Sequence, residues 1–397
     1  MKVVVCGAGI TGLALANKLA RDGVEVVVVE RAKAPRAQGY MIDFFGAGFD
    51  AAEELGVLPR IRELAYRVDE ASLLDGRGRR RAAIRYTTFA RTMRDRLCSI
   101  MRPDLERALR EHLPSTVDLR FGAGVTAVDD LGDRVRVTAG DQVVEADVLV
   151  GADGIHSAVR RLVFGGDENY VRYLGFHTAA FVFADPEIQA AVGDRFCLTD
   201  SIGRQLGLYG LRDGRVAVFA VHRTADPRLP EDPRAALRAV YGSLGWLVPR
   251  VLRLCPPGEF VYYDEVVQVD MPAWSRGRVV LAGDACCAVS LIAGQGASLG
   301  IAGAFVLGEQ LVRAASSGEA FTAYERLMRP VVEEKQRVAR RSARWFLPAN
   351  PPQLWIRRAA LRLARLPVLD RYVAAVLAGK STAVVTNLRR AGAGAAR

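Results

Sequence analysis

The sequence has few lysines and no long apolar run. Only five of its 55 basic residues are lysines, so arginine carries nearly all of the positive charge. No stretch of about 18 or more apolar residues is present, which argues against a transmembrane helix. The short apolar run 3–6 leads into glycines rather than into a signal-peptide cleavage site. We therefore expect a cytoplasmic protein.

Patterns that bind metals or form disulfides are also missing. The six cysteines form no CxxC pair and no dense framework, and the four histidines are scattered along the chain. We predict reduced, mostly buried thiols and no metal site. The adjacent Cys286 and Cys287 are better explained by the packing of small side chains than by a redox pair, because neighbouring cysteines rarely form an unstrained disulfide.

The net charge of +11 needs an explanation of its own. A basic protein can bind nucleic acid, a membrane surface or an anionic small molecule. No helix-turn-helix, zinc-finger or RRM pattern is present, so we expect no nucleic-acid partner. Part of the charge can serve the phosphates of a dinucleotide.

The first thirty residues predict a βαβ unit. Apolar runs at 2–6 and 24–29 indicate buried parallel strands, and 12–22 has the apolar spacing of a helix. Gly7, Gly9 and Gly12 form a GxGxxG loop between the first strand and the helix, where free N–H groups can bind a pyrophosphate. Glu30 ends the second strand, where a carboxylate can accept ribose hydroxyls. This unit predicts dinucleotide binding.

Two later segments repeat the pattern of a buried strand followed by a glycine turn. Residues 147–150 lead into Gly151-Ala152-Asp153-Gly154, with a helix beginning near Ser157. Residues 277–281 lead into Gly283-Asp284, and Gly294-Gln295-Gly296 precedes a long helix at about 297–315. Asp284 can bind a ribityl hydroxyl, and the N–H groups that begin the long helix can stabilise a negatively charged ring.

These three motifs together resemble the single-component FAD-dependent monooxygenases of the p-hydroxybenzoate hydroxylase-like family. In pattern the chain is nearest to the tetracycline-inactivating and other natural-product monooxygenases, over roughly residues 1–345. The resemblance implies an α/β fold with a Rossmann-like FAD-binding domain, an inserted antiparallel-sheet substrate domain and a C-terminal helical segment. The implied ranges are 1–75, 100–168 and 269–345 for the first, 76–99 and 169–268 for the second, and 346–397 for the third.

The same resemblance implies FAD as the cofactor and NADPH or NADH as the co-substrate. Arg36 and Asp43 match positions that contact the nicotinamide and the flavin, and Arg102 matches an arginine near the flavin ring. The full set of implied cofactor positions is Gly7, Gly9, Ile10, Thr11, Gly12, Glu30, Arg31, Arg36, Asp43, Arg102, Val125, Asp153, Asp284, Gly294, Gln295, Gly296 and Ala297. The chain departs from the family at Cys287, where a histidine is usual, and at Ser290 and Leu291, where prolines are usual.

The activity implied is hydroxylation or epoxidation of a hydrophobic aromatic, polycyclic or terpenoid secondary metabolite with dioxygen, through a flavin hydroperoxide. The sequence identifies no catalytic side chain, because this chemistry asks the protein mainly to position substrate and exclude water. Two alternatives stay open: an FAD-dependent reductase of isoprenoid double bonds, and a non-catalytic dinucleotide-binding protein. A halogenase is disfavoured because its Trp-x-Trp-x-Ile-Pro motif is absent.

The predicted substrate domain contains a β-hairpin. Asp213-Gly214 is a two-residue turn signal, which would place Leu208 opposite Phe219 and Leu206 opposite Val221. By alignment with the tetracycline-inactivating enzymes, we expect the apolar side of this hairpin to cover the flavin, with Arg204 at its rim. The expected substrate contacts are Ala180, Arg204, Leu206, Leu208 and Phe219. His177 and His222 are expected to be structural or solvent-facing rather than catalytic.

The C-terminal segment contains a basic amphipathic pattern. Pro348, Pro351 and Pro352 interrupt the preceding helix, and 355–366 alternates apolar residues with arginines. We expect this helix to dock on the FAD-binding domain with its arginines in water. The alternative is a lid or a contact with a membrane surface.

Overall fold

The computed structural model describes residues 1–36, 38–86, 91, 93, 96–363 and 385. These residues form a six-stranded sheet, a seven-stranded sheet, a three-stranded sheet and a two-stranded ribbon. The strands are β1 (Lys2–Cys6), β2 (Glu25–Glu30), β3 (Met41–Phe45), β4 (Glu70–Leu74), β5 (Arg80–Arg85), β6 (Leu97–Met101), β7 (Asp118–Phe121), β8 (Val125–Asp130), β9 (Val135–Ala139), β10 (Gln142–Ala146), β11 (Val148–Gly151), β12 (Val171–Ala184), β13 (Arg195–Thr199), β14 (Arg204–Gly210), β15 (Arg215–Arg223), β16 (Tyr262–Val269), β17 (Ser275–Arg276) and β18 (Val279–Leu281). The helices are α1 (Ile10–Arg21), α2 (Ala47–Glu54), α3 (Leu58–Leu64), α4 (Arg102–Glu111), α5 (Ala158–Val163), α6 (Pro186–Val192), α7 (Pro233–Tyr241), α8 (Val248–Arg253), α9 (Asp284–Cys287), α10 (Gly296–Arg313), α11 (Ser317–Phe346) and α12 (Pro351–Leu363).

The six-stranded sheet has the order β17-β18-β11-β1-β2-β7 and is parallel except at β17. Its central strand β1 is buried, as its continuous apolar run predicts for a parallel sheet covered on both faces. The predicted βαβ unit is confirmed, with α1 beginning at Ile10 rather than at Gly12. The carboxyl ends of β1, β2, β11 and β18 therefore share one edge.

Gly7 lets two of these strand ends approach each other. Its φ is +108°, and a Cβ atom at this position would lie 2.5 Å from the carbonyl oxygen of Ala152. Any other residue would push the turn after β1 away from the turn after β11. The first two motifs are thus in direct backbone contact.

The seven-stranded sheet has the order β16-β12-β15-β14-β13-β4-β5 and is antiparallel except between β13 and β4. Helices α6, α7 and α8 pack on one of its faces, and the other faces the parallel sheet's domain. The inserted, mainly antiparallel domain predicted from the sequence is present. Strand β4 belongs to this sheet, although the predicted division assigned residues up to 75 to the FAD-binding unit; the division itself remains a prediction.

The hairpin of β14 and β15 turns through three residues, not the predicted two. The N–H of Leu211 donates to the carbonyl of Arg215 at 2.7 Å, which leaves Arg212, Asp213 and Gly214 in the loop. Gly214 has a φ of +80°, the left-handed conformation typical of three-residue hairpins.

Because the loop has one residue more than predicted, the pairing of β14 with β15 differs from the predicted register by one position. Leu208 lies opposite Val218, and Leu206 lies opposite Ala220. Because side chains alternate between the faces of a sheet, both leucines point away from the face that carries Phe219. The prediction that the three side chains form one surface was wrong.

The C-terminal helix docks on the seven-stranded sheet rather than on the FAD-binding domain, which corrects the sequence-based expectation. Arg358 Nε donates to Asp200 Oδ2 at 2.6 Å, and the N–H of Gly203 donates to the carbonyl of Pro348 at 2.7 Å. The Asp200 side chain is 1% exposed, so its carboxylate needs a cationic partner. Arg358 therefore faces inward instead of pointing into water. Residues 364–366 of the predicted helix lie outside the described residues.

Within the described residues, no helix combines the length and the apolar character needed to cross a bilayer.

Candidate active site

A groove follows the carboxyl edge of the parallel sheet, where ligands of such sheets bind. Nine of the predicted cofactor positions line it: Gly7, Gly9, Glu30, Arg31, Arg36, Arg102, Val125, Asp153 and Asp284. They come from the turns after β1, β2, β11 and β18 and from the start of α4 and β8. The structure thus brings the three sequence motifs to one site.

The N-terminus of α1 points into this groove with no side chain among the described residues capping it. Gly9 is the residue before the helix, and the first turn, which begins with Ile10 and Thr11, contains no acidic residue. A Cβ atom on Gly9 would meet nothing within 4 Å, so the space in front of the helix is open. Unbonded N–H groups at a helix N-terminus form an anion site, and they suit a pyrophosphate.

Glu30 is held at the end of β2 by two backbone groups. Its Oε2 accepts from the N–H of Ala8 and its Oε1 from the N–H of Ala32, each at 2.9 Å. A carboxylate offers about four lone-pair positions, so Glu30 retains acceptors for the hydroxyls of a ribose.

Asp153 organises the second motif. Its Oδ1 accepts from Ser157 Oγ at 2.5 Å, and its Oδ2 accepts from the N–H of Ala158 at 2.7 Å. Ser157 caps α5, as predicted, by accepting from the N–H of Arg160 at 2.9 Å. The turn is therefore rigid where it faces the groove.

Arg160 joins the second motif to the third. Its fully buried guanidinium donates to the carbonyl of Ala285 at 2.8 Å and to Asp167 Oδ1 at 2.6 Å. The sequence placed Arg160 within the motif, but the bond across to Ala285 depends on the tertiary fold.

Asp284 lies at the start of α9, in the wall of the groove. Burial raises the pKa of its carboxyl, and the positive charge of Arg102 opposes that rise. The preceding Gly283 packs against Thr11, since a Cβ atom there would lie 2.3 Å from Thr11 Oγ1. The Thr11 side chain thus holds the third motif against α1, a structural contact not foreseen from the sequence.

Gly294, Gln295, Gly296 and Ala297 form the entry to α10 beside Asp284. Gly294 adopts a left-handed φ of +64°, and a Cβ atom on Gly296 would lie 3.8 Å from Asp284 Oδ1. The first turn of α10 contains no acidic residue, so its positive end stands next to the Asp284 side of the groove.

Ser290 adopts a backbone conformation that proline cannot. Its φ is +77°, whereas proline fixes φ near about −65°. The segment that follows, Leu291 and Ile292, packs against the apolar cluster containing Val221 and Phe176. A proline at position 290 would therefore be incompatible with the path that this loop takes.

Four residues near the groove were not predicted from the sequence, namely Tyr40, His156, Tyr262 and Asp264. The Tyr40 ring lies 5.4 Å from Phe219 and 5.8 Å from Tyr262. Tyr262 donates its hydroxyl proton to Asp264 Oδ2 at 3.2 Å, and His156 Nε2 lies 3.2 Å from Asp264 Oδ1. The hydrogen bond to Asp264 raises the pKa of His156. No local pattern marks these residues, because they come from three segments that are distant in the sequence.

The predicted substrate residues separate onto two faces. Ala180 lies opposite both Phe219 and Tyr262, on the face toward the groove. Leu206 and Leu208 are buried on the other face, beneath α7 and α8.

Arg204 points the same way as those two leucines. It donates to Ser243 Oγ at 2.8 Å and to the carbonyl of Val240, both near the end of α7. Its predicted place at the rim of the flavin-facing surface was wrong, for the same reason of register.

Asp43 lies in the β3–β6 ribbon and outside the groove lining. Burial raises its pKa to about 6, although the hydrogen bond from Ser99 Oγ at 2.8 Å acts in the opposite direction. Its contact with the flavin stays a prediction.

His177 and His222 form a buried pair on the face away from the groove. Their rings are 5.6 Å apart, and His222 Nδ1 lies 3.2 Å from Tyr241 Oη. Burial lowers the pKa of both, that of His222 to about 4, and His177 adds to the effect on His222. Their structural role agrees with the sequence-based interpretation.

This pair is expected to make the fold less stable in mild acid. Histidine in an unfolded chain titrates near about 6.5, so between that pH and about 4 the unfolded state binds more protons. The contribution of the neutral histidine pair to the free energy of unfolding is complete above pH ~6.5 and decreases as the pH falls. Urea unfolding at several pH values should show a shallower pH slope for His222→Phe than for the parent. His112→Gln, outside the pair, serves as the control; equal slopes in all three proteins would contradict the expectation.

A family model described as "FAD binding domain" matches residues 1–342. An uncharacterized protein of Mycobacterium tuberculosis is 33% identical over 360 residues, covering 88% of this chain and 93% of the relative. A flavin-dependent monooxygenase of Legionella longbeachae is 28% identical over 344 residues, covering 85% and 87%.

The solved structure of the tetracycline destructase Tet(55) is similar with a TM-score of 0.79 and 25% identity. The similarity covers 91% of this chain and 94% of that one. The shared fold therefore extends over most of the chain.

Proposed function

The chain belongs to the FAD binding domain family of flavin-dependent monooxygenases, and we propose that it hydroxylates or epoxidises a hydrophobic aromatic, polycyclic or terpenoid metabolite with NADPH or NADH and dioxygen. The observation that carries the substrate class is the aromatic group at the flavin end of the groove. There the rings of Tyr40, Phe219 and Tyr262 lie close together, and Tyr262 lines the groove with Asp284 and Arg102.

The residues of the groove fit FAD. The uncapped start of α1 suits its pyrophosphate, and Glu30 suits a ribose. Asp284 would suit a ribityl hydroxyl, and the positive end of α10 next to Asp284 would suit a negatively charged ring. When bound, FAD supplies the electron transfer and the activation of dioxygen.

Basic side chains at the groove suit the phosphates of a nicotinamide dinucleotide. Arg31, Arg36 and Arg110 line it together with His156. We propose that they attract and position the donor, because its phosphates are negatively charged. The flavin-facing turn at Asp153 is rigid enough to orient it.

The proposed substrate wall is apolar and continuous with the Ser290 loop. Phe219 packs between two clusters, one with Tyr209 and Ala217 and the other with Leu291 and Ile292. Such a wall holds a flat or multi-ring substrate by shape, and it excludes water from the reacting centre. The structural similarity to a tetracycline destructase supports a multi-ring substrate.

The protein's own task in this reaction is to position groups. Burial raises the pKa of Tyr40 and of Tyr262, so both hydroxyls stay protonated at neutral pH. Tyr40 can donate its proton to a substrate oxygen, whereas Tyr262 donates to Asp264. Arg102, close to Tyr40 and Asp284, offsets negative charge at this end of the groove.

A screen of aromatic and terpenoid compounds under ¹⁸O-labelled dioxygen tests the proposal. We expect a substrate to accelerate NADPH or NADH oxidation and to gain one labelled oxygen atom, read by mass spectrometry. Nicotinamide oxidation without dioxygen would identify a reductase instead, and a purified protein without flavin would contradict the cofactor assignment.

Two conservative variants locate the substrate in the same assay. Phe219→Leu should raise KM several-fold and divert reducing equivalents to hydrogen peroxide, because the wall loses an aromatic ring. Leu208→Val, on the opposite face of the same sheet, is the matched control and should leave KM unchanged. Equal effects of the two variants would mean that the substrate does not contact the Phe219 face.

A further inference from the structure

The positive charge of this protein is concentrated at one end of the chain. Residues 335–397 contain fourteen lysines and arginines and a single acidic residue, Asp370. Residues 1–334 contain 41 basic and 43 acidic side chains, so they are nearly neutral. The excess positive charge is therefore carried by the segment 335–397 and not by the part of the chain that forms the dinucleotide groove.

Large apolar side chains are exposed in the same segment. On α11, the exposed residues Arg337, Arg341 and Trp345 follow each other at intervals of four, so they form one stripe. Trp345 is 60% exposed, and Val338, which follows Arg337 in the chain, is 51% exposed. Tryptophan is usually well buried, so its exposure beside arginines indicates a contact surface.

The next helix, α12, also exposes large apolar side chains. Trp355 is 70% exposed and Ile356 is 48% exposed. Arg358 is turned inward by its bond to Asp200, which fixes the rotation of α12 and leaves Trp355 and Ile356 outward. The way in which α12 docks therefore leaves these two apolar side chains exposed.

We propose that the exposed surface of α11 and α12, formed by Arg337, Val338, Arg341, Trp345, Trp355 and Ile356, docks on an anionic lipid bilayer. Arginines attract anionic headgroups, while tryptophan and isoleucine insert at the boundary between headgroups and acyl chains. Nucleic acid is less suitable, because a phosphate backbone offers nothing for exposed Ile356 and Val338. The proposal is independent of the monooxygenase chemistry.

The experiment uses the full-length FAD-loaded protein and vesicles of phosphatidylcholine with or without phosphatidylglycerol. We expect co-sedimentation with the anionic vesicles only, decreasing as salt is raised. The triple variant Trp345→Ser, Trp355→Ser, Ile356→Ser should reduce the partition coefficient about tenfold or more. The matched control replaces three exposed apolar residues elsewhere, Leu131, Val143 and Leu229, by serine and should bind as the parent does.

A spectroscopic measurement locates the contact. Brominated lipids should quench the parent's tryptophan fluorescence, since Trp345 and Trp355 meet the acyl region. The conservative variant Trp345→Phe, Trp355→Phe should still bind but lose the quenching, because Trp274 is buried and Trp246 is half-buried.

Four results would overturn the proposal. The first is failure to bind anionic vesicles, and the second is binding that the triple serine variant leaves intact. Tighter binding to a double-stranded DNA oligonucleotide than to the vesicles would assign the charge to nucleic acid. A dimer that the triple variant dissociates, without vesicle binding, would assign the surface to a second copy of this chain.

Discussion

Asp284→Ala is expected to give a folded protein that purifies with little or no FAD. The carboxylate stands at a strand end in the wall of the groove, beside the first turn of α10, and belongs to the ligand site rather than to the hydrophobic core. A hydrogen bond to a charged group contributes about 1.5–3 kcal/mol, so its loss should weaken FAD binding roughly 10- to 100-fold. Flavin absorbance per protein and titration of the apoprotein with FAD measure the effect.

Asp270→Ala is the matched control for this variant. Asp270 is an exposed aspartate that follows β16, so its removal should leave FAD occupancy unchanged. Circular dichroism of both variants should match that of the parent. Full FAD occupancy in Asp284→Ala would contradict the role assigned to this carboxylate.

Arg160→Met is expected to destabilise the protein by about 3 kcal/mol, because removing a buried charged donor leaves its acceptors unpaired. Those acceptors are the backbone carbonyls of Ile155 and Ala285, whereas Asp167 keeps its ion pair with Arg161. Since Ala285 follows Asp284, the variant should also loosen the third motif and lower FAD occupancy. Urea unfolding, followed by circular dichroism, measures the change in the free energy of unfolding.

Arg161→Met provides an internal comparison. Arg161 is the next residue of α5 and pairs with the same carboxylate at 3.0 Å, but its side chain is 42% exposed. Exposed ion pairs contribute about 0–1 kcal/mol, so this variant should remain close to the parent. Similar losses of unfolding free energy in the two variants would show that the contribution of Arg160 to stability does not depend on its burial.

The cofactor site could be predicted because its elements are local. A glycine loop between an apolar strand and a helix fixes the backbone that approaches a pyrophosphate, and this geometry does not depend on distant segments of the chain. The positions Gly7, Glu30, Asp153 and Asp284 were all found in this way, and the structure brings them to one groove. The class of cofactor followed from the order of three such motifs, and the family match supports it.

The substrate side could not be predicted as well. One additional loop residue, with Gly214 in the left-handed conformation, moved Leu206 and Leu208 to the opposite face of the sheet. Because strand side chains alternate, a one-residue change in a turn reverses every contact of the strand that follows. No sequence pattern near Asp213 distinguishes the two loop lengths.

The sequence by itself therefore determined the parallel sheet, the presence of the helices that follow its strands and the groove for a dinucleotide, since these depend on neighbouring residues and on buried apolar runs. It also determined the excess of arginine near the C-terminus. Only the tertiary structure decided which face of the antiparallel sheet meets the groove, how Tyr40 and Tyr262 come together, and which side of α12 is exposed. Those outcomes depend on pairings between segments that are distant in the sequence. The geometry of one turn sets the face of the hairpin, and the bond from Arg358 to the buried Asp200 sets the rotation of α12.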